Sequence, residues 1–359
     1  MPLIHGHDVL SDDGGESLRV AMHPEIPAEI AAAARGLPGF GLYHDKPWND
    51  VLTQAFGWPV SAMTAHRRDQ LVAYLPYVRK RRLGRLVHVC LPLSHDAGVL
   101  VKSGEEAVLE ALFAGVMPLE LHAAIPGRAI DELAEAEHVE SVIDLARFDG
   151  SEALFGGMTN SRRRKIRQAG RAGVATRDAT DAEGFRIFAE LQSRTRQRQG
   201  APDYPRRFFP AMAEHLGGQG TARLRLGFLD GRPVAGVILL IDRHLSRVIY
   251  GYGASIEDRD VLATGVNPLL LWEAMEQALA DGFASFSFGS TAAHHRQLLT
   301  YKERFGATAR PLARVRVPAG GVRQVREGGF LNRLAAPVLR AMPLGTFRTL
   351  SPILLAEVI

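Results

Sequence analysis

The 359-residue chain has one cysteine, Cys90. A single thiol excludes an internal disulfide and leaves no basis for a cysteine metal site. Cys90 lies in the apolar run Leu86 to Leu93, so it reads as core, where free cysteine packs as a small hydrophobe. Long apolar runs are also missing. None approaches the roughly 20 residues of a membrane-spanning helix. The N-terminus lacks a basic-then-apolar leader, so the expected compartment is the cytoplasm. No Gly-x-Ser-x-Gly element or dinucleotide fingerprint occurs, which sets aside hydrolase and dehydrogenase chemistry. His294-His295 lack a third ligand at zinc spacing, so no metal is expected. They read as a surface loop, with a general base as the functional alternative.

Hydrophobic residues make up 46% of the chain and charged residues 23%, enough for two domains with separate cores. The net charge is only +4, but the cations are unevenly placed.

The most legible stretch is Ala222 to Gly306. Arg223 to Phe228 alternates basic and apolar residues, Asp230-Gly231 signals a hairpin, and Val234 to Ile241 is almost wholly apolar. Ser246 to Gly253 gives a third antiparallel strand. The period then changes. Asn267 as N-cap and Pro268 as first helical residue predict a helix with Leu271, Ala274, Met275 and Ala278 on its apolar face, stopped by Gly282. Phe283 to Gly289 is a further strand. Upstream, Val60 to His66, Leu71 to Val78, Arg85 to Leu93, a helix over Glu105 to Ala114 and a strand over Leu119 to Ala124 repeat that order. The chain therefore reads as two copies of one α/β unit.

Glu152 to Ala172 reads as one helix with six cations from Arg162 to Arg171. Arg163, Arg167 and Arg171 share a face at four-residue spacing. Such a stripe is either a solvated face or a phosphate site. No aromatic residues interleave it, which argues against nucleic acid. The tail from Phe330 to Ile359 is apolar but broken by arginine and proline. Packing on the body, pairing with a second subunit and lying on a membrane surface all remain open for it.

Four passages carry a family resemblance: Arg163 to Gly173, Arg198 to Phe209, Asn267 to Trp272 with Phe286 to Ser290, and Tyr301-Lys302-Glu303-Arg304-Phe305-Gly306. Residues 38 to 317 resemble the FemAB-like branch of the GNAT acyltransferase superfamily, most of all the FemAB-type proteins of exopolysaccharide and exosortase systems. The chain departs from that pattern in reading Gly289-Ser290-Thr291 after the last strand and in having no long helical arm.

The resemblance implies an α/β fold of two tandem GNAT-like units, each a mixed, largely antiparallel sheet flanked by helices. Residues 1–137 would be the degenerate unit, 138–317 the catalytic unit and 318–359 a basic, apolar tail. It implies transfer of an acyl group from acyl-CoA to an amine, on a sugar or envelope precursor. An aminoacyl-tRNA donor and a non-catalytic scaffold are the alternatives. Lys302 would lie near the acyl carbonyl or an acceptor phosphate. Tyr250 and Gly251 would supply a splayed strand with a free N–H, glycine permitting a bulge. Thr264, Gly265, Val266 and Asn267 would hold the donor's pyrophosphate at a helix N-terminus. Arg163, Arg167 and Tyr204 would bind the acceptor, with membrane contact through the tail as a further expectation.

Overall fold

Three two-residue turns fix the strand registers. Arg68-Asp69, Leu83-Gly84 and Asp230-Gly231 have positive φ at both residues. That geometry matches the twist of the flanking strands and closes tight hairpins. Accordingly, Arg67 pairs with Gln70, Arg82 with Arg85, and Leu229 with Arg232.

The computed structural model describes residues 17–121, 123, 138–312, 315–317, 323–324 and 329–358. These form two units, divided near His138.

The first unit carries β1 (Leu18–His23), α1 (Ala28–Ala34), α2 (Lys46–Phe56), β2 (Val60–Arg67), β3 (Gln70–Arg82), β4 (Arg85–Val89), β5 (Leu100–Val101), α3 (Leu109–Ala114) and β6 (Leu119–Leu121). Asp45 caps α2 by accepting from the Lys46 N–H, and Gly57 ends it in a left-handed conformation. β2, β3 and β4 are antiparallel, and β6 returns parallel to β4. Trp48, Leu52, Tyr74, Leu75 and Leu112 are fully buried in this unit, and Cys90 is buried core.

The second unit follows the same plan. Its elements are β7 (His138–Asp144), α4 (Ser151–Gly156), α5 (Asn160–Arg171), β8 (Ala175–Asp178), α6 (Ala182–Gln199), α7 (Phe208–Met212), β9 (Ala222–Leu229), β10 (Arg232–Asp242), β11 (Arg247–Ser255), α8 (Arg259–Thr264), α9 (Val266–Ala280), β12 (Ser285–Ala292), α10 (Arg296–Glu303) and β13 (Thr308–Leu312). β9, β10 and β11 are antiparallel, and β12 runs parallel to β11. The sheet order is β13-β7-β12-β11-β10-β9-β8. Three antiparallel strands, a helix and a parallel strand thus occur twice, which is the repeat read from the sequence. One face of the second sheet packs its core with α9, through Val237, Leu239, Val248, Leu270, Ala274 and Phe286.

Several boundaries differ from the sequence reading. Glu152 to Ala172 is two helices, because Thr159 caps a new start by accepting from the Arg162 N–H. α9 begins at Val266, and its N-cap is Gly265 in a left-handed conformation, not Asn267. α8 precedes it and was not foreseen. β14 (Val315–Val317) and β15 (Arg323–Gln324) belong to the first unit, as do Pro311 and Leu312 at the end of β13. The reason is pairing: Val315 and Val317 face Leu121 and Leu119 of β6. The tail forms α11 (Gly329–Ala341) and α12 (Leu344–Val358), which join the second unit.

Candidate active site

β11 and β12 pair only over Arg247–Ile249 and Ser285–Ser287. β11 continues to Ser255 and β12 to Ala292, so the two strands part beyond that point. β12 turns at Gly289, whose φ is +65°.

β11 is also bulged. Leu239 of β10 faces Tyr250 and Ile238 faces Tyr252, leaving Gly251 as the extra residue. The bulge puts the two tyrosines on opposite faces of the sheet. Tyr250 packs with the α9-side core and lies edge-on to Phe288, with ring centroids 6.2 Å apart. Its hydroxyl occupies the space where a β-carbon on Gly253 would sit, 1.7 Å away, so residue 253 has no room for a side chain. Burial pushes the Tyr250 phenol well above its ordinary pKa.

The segment Tyr301 to Gly306 gathers around this opening. Lys302, on α10, is 3% exposed. Its Nζ donates to the carbonyl oxygens of Phe288 at 2.8 Å and Gly289 at 3.3 Å, and to Thr291 Oγ1. Burial lowers its pKa to about 8, opposed by the Glu140 carboxylate. Ser287 ties β12 to β7: its hydroxyl donates to Glu140 Oε1 at 2.5 Å and accepts from the Gly289 N–H at 3.0 Å. Tyr301 and Phe305, one helical turn apart, clasp Arg162. The guanidinium lies 4.3 and 4.2 Å from the two ring centroids and donates to the Tyr301 carbonyl at 3.3 Å. Burial lowers the Arg162 pKa, and burial pushes Tyr301 up to about 12 while Arg162 pulls it back.

The structure therefore brings Lys302, Tyr250 and Gly251 to one opening. A β-carbon on Gly289, which Lys302 holds, would lie 3.7 Å from the Tyr250 carbonyl.

The other expected residues lie apart. Tyr204 does not join Arg163 and Arg167. It stacks on Phe208 and meets Phe209 and Tyr252 edge-on, under the Arg196 guanidinium at 4.6 Å. That cluster is on the face of β11 opposite Tyr250. Arg167 is exposed above Phe155, and Arg163 is half-buried against Asn160 Oδ1.

Thr264 to Asn267 is more closed than an open anion cradle. The Val266 N–H goes to Thr264 Oγ1 at 3.3 Å, Pro268 has no N–H, and the Leu269 N–H goes to the Gly265 carbonyl. Gly265 lies against α5, where a β-carbon would be 2.4 Å from the Lys165 carbonyl oxygen. Lys165 Nζ and Gln168 Nε2 both donate to the Ala263 carbonyl, at 2.9 and 3.1 Å. His294 and His295 are exposed.

Sequence reasoning counted Arg162 only as one of six cations on a helix. Its signal was available: Arg162, Ile166 and Ala169 have the spacing of a buried helix face, and all three are buried. Glu140 and Ser287 carried no such signal, because each sits at an ordinary strand position.

An unpaired strand edge beside a bulge exposes backbone N–H groups, which suit a developing oxyanion. Residues 158–303 match the family described as acetyltransferase (GNAT) domain. Among solved structures, the chain is similar to FemX, with a TM-score of 0.61 and 17% identity over 79% of this chain and 93% of that one. It is also similar to L-PGS from Bacillus licheniformis, with a TM-score of 0.51 and 12% identity over 88% and 98% of the two chains. At these identities the likeness concerns the fold. No curated protein sequence matches the chain.

Proposed function

We propose that this chain, whose second unit carries a GNAT acetyltransferase domain, moves an acyl group from acyl-CoA to an amine on a sugar or cell-envelope precursor. The observation that supports this most is the parting of β11 from β12 next to the bulge at Gly251. An acyl carbonyl laid against that edge meets backbone N–H donors where its oxygen becomes negative. The amine nitrogen attacks the carbonyl carbon, the C–S bond breaks, and the thiolate leaves with a proton from the amine. Lys302 keeps β12 turned away, so that the edge stays open. Arg163 and Arg167, on the outer side of α5, suit a phosphate on the acceptor.

A second reading is favoured by the closed turn at Gly265. A donor that needs no pyrophosphate cradle there, an aminoacyl ester carried on tRNA, fits that closure. The exposed cations Arg164, Arg167 and Arg171 would then face the polyanion.

The test is thiol release from acetyl-CoA and longer acyl-CoA, with amino sugars and amine-bearing envelope precursors as acceptors and product mass as the second readout. Acyl-CoA-dependent product supports the first reading. Product formed only with charged tRNA supports the second. No product with either donor leaves a non-catalytic binding protein.

A further inference from the structure

The tail helices bury one side and leave the other apolar. Leu339, Phe347 and Leu355 face inward and are at most 4% exposed. Polar contacts anchor the pair to α6 and the loop after it. Arg340 donates to the carbonyls of Arg198 and Gln199, at 3.2 and 3.3 Å, and Gln197 Nε2 donates to the Met342 carbonyl. The Asp203 N–H donates to Ser351 Oγ at 3.0 Å, and Arg206 Nη2 to Thr349 Oγ1 at 3.0 Å. The outward side chains are Val338, Leu350 and Ile353, exposed by 62%, 51% and 65%. They are three of the nine exposed large apolar side chains among the described residues, so this short segment is unusually rich in them.

The charge around them is mainly positive, the one carboxylate on α12 being Glu357, a turn beyond Ile353. No aspartate or glutamate occurs from Gly329 to Ala356, whereas Arg333, Arg340 and Arg348 do. Between Leu191 and Pro210 the only carboxylate is Asp203, which is 3% exposed. Arg206 and Arg207 in that loop are exposed, and the Arg206–Thr349 bond sets a cation beside Leu350.

We propose that α11 and α12 form a docking surface for an anionic phospholipid bilayer. Leu350 and Ile353 are three positions apart on one helix face, so both can enter the headgroup boundary together. The surrounding arginines meet anionic headgroups at such a surface. A second copy of the chain is a poorer occupant. A two-fold pairing would set this cationic surface against itself. The second unit would then work beside a membrane, which suits an acceptor with a lipid anchor but does not depend on the activity proposed above.

The experiment is co-sedimentation of the full chain with phosphatidylcholine vesicles and with vesicles containing phosphatidylglycerol. Binding is expected to the anionic vesicles and to weaken with salt. Leu350→Asp combined with Ile353→Asp is expected to reduce it about tenfold or more, since both lose apolar insertion and gain like charge. Arg206→Ala combined with Arg207→Ala is expected to weaken binding about tenfold and to flatten its salt dependence. All four positions are exposed or loop sites, and circular dichroism checks the fold of each variant. Absence of sedimentation with anionic vesicles overturns the proposal. So does binding that both double variants leave unchanged. A dimer seen by light scattering that Leu350→Asp/Ile353→Asp dissociates, without vesicle binding, overturns it in favour of self-association.

Discussion

The ammonium of Lys302 lies 2.8 Å from the carbonyl oxygen of Phe288, at the last point before β12 turns away from β11. With Gly289 O and Thr291 Oγ1 it uses all three of its N–H donors on that strand. Lys302 thus acts on the geometry of the opening through the backbone of β12. Lys302→Met is expected to lower kcat about tenfold or more while leaving donor Kd unchanged, because the open edge matters most when the oxyanion forms. Lys302→Arg should not restore activity, since a larger guanidinium has no room at a site 3% exposed. An unchanged kcat in folded Lys302→Met would remove this role.

The same lysine makes a pH signature. Its folded-state pKa is about 8, below the ordinary 10.5, because burial disfavours the charged form. Below pH 8 the group is protonated in both folded and unfolded chains. Between about 8 and 10.5 the unfolded chain holds a proton that the folded chain has released. Stability contributed at this position therefore rises with pH across that window, by at most about 1.4 kcal/mol per pH unit. Urea unfolding of the wild type and Lys302→Met from pH 7.5 to 10 isolates the effect, because other groups cancel in the difference. A difference that does not move with pH would mean that Lys302 stays charged.

On α5, Arg163→Ala combined with Arg167→Ala is expected to raise acceptor KM about tenfold at low salt, with kcat little changed. The change should shrink at high salt, because both side chains are at least partly open to solvent and screened. Steady-state kinetics over a salt series decides. Equal KM values at low salt would make the stripe a solvated face only.

The repeat of three antiparallel strands, a helix and a parallel strand was legible because it rests on local signals. Asp230-Gly231 marks its turn, Val234 to Ile241 its buried strand, and Leu271 to Ala278 its helix face. The bulge was legible at Gly251, where glycine is the residue that permits it. Long-range facts were not. The spacing of Arg162 to Ile166 and Ala169 marks a buried face, but nothing local names its partners Tyr301 and Phe305. Tyr204 carries no local sign of the rings it packs against. Its partner Tyr252 reaches it because one extra residue in β11 flips the strand's faces. The start of α9 was misplaced for a similar reason. Asn267 and Pro268 give a good local start, but the contact with α5 fixes the turn two residues earlier.

That contact yields the last prediction. Gly265 has φ +93°, a backbone conformation costly for any residue with a side chain. In addition, a β-carbon there would meet the Lys165 carbonyl at 2.4 Å, which is backbone and cannot rotate away. α5 must then separate from α9. Gly231 offers the control. Its φ is +73°, but a β-carbon there meets nothing within 4 Å. Gly231→Ala is expected to cost about 1 kcal/mol from backbone strain alone. Gly265→Ala should cost about 3 kcal/mol or more, because a steric conflict between two packed helices adds to the strain. Urea midpoints at equal m-values measure the gap between them. Since α5 also carries Arg163 and Arg167, Gly265→Ala should raise acceptor KM, whereas Gly231→Ala should not. Equal losses of stability in the two variants would show that the α5 contact adds nothing to the conformational requirement at residue 265.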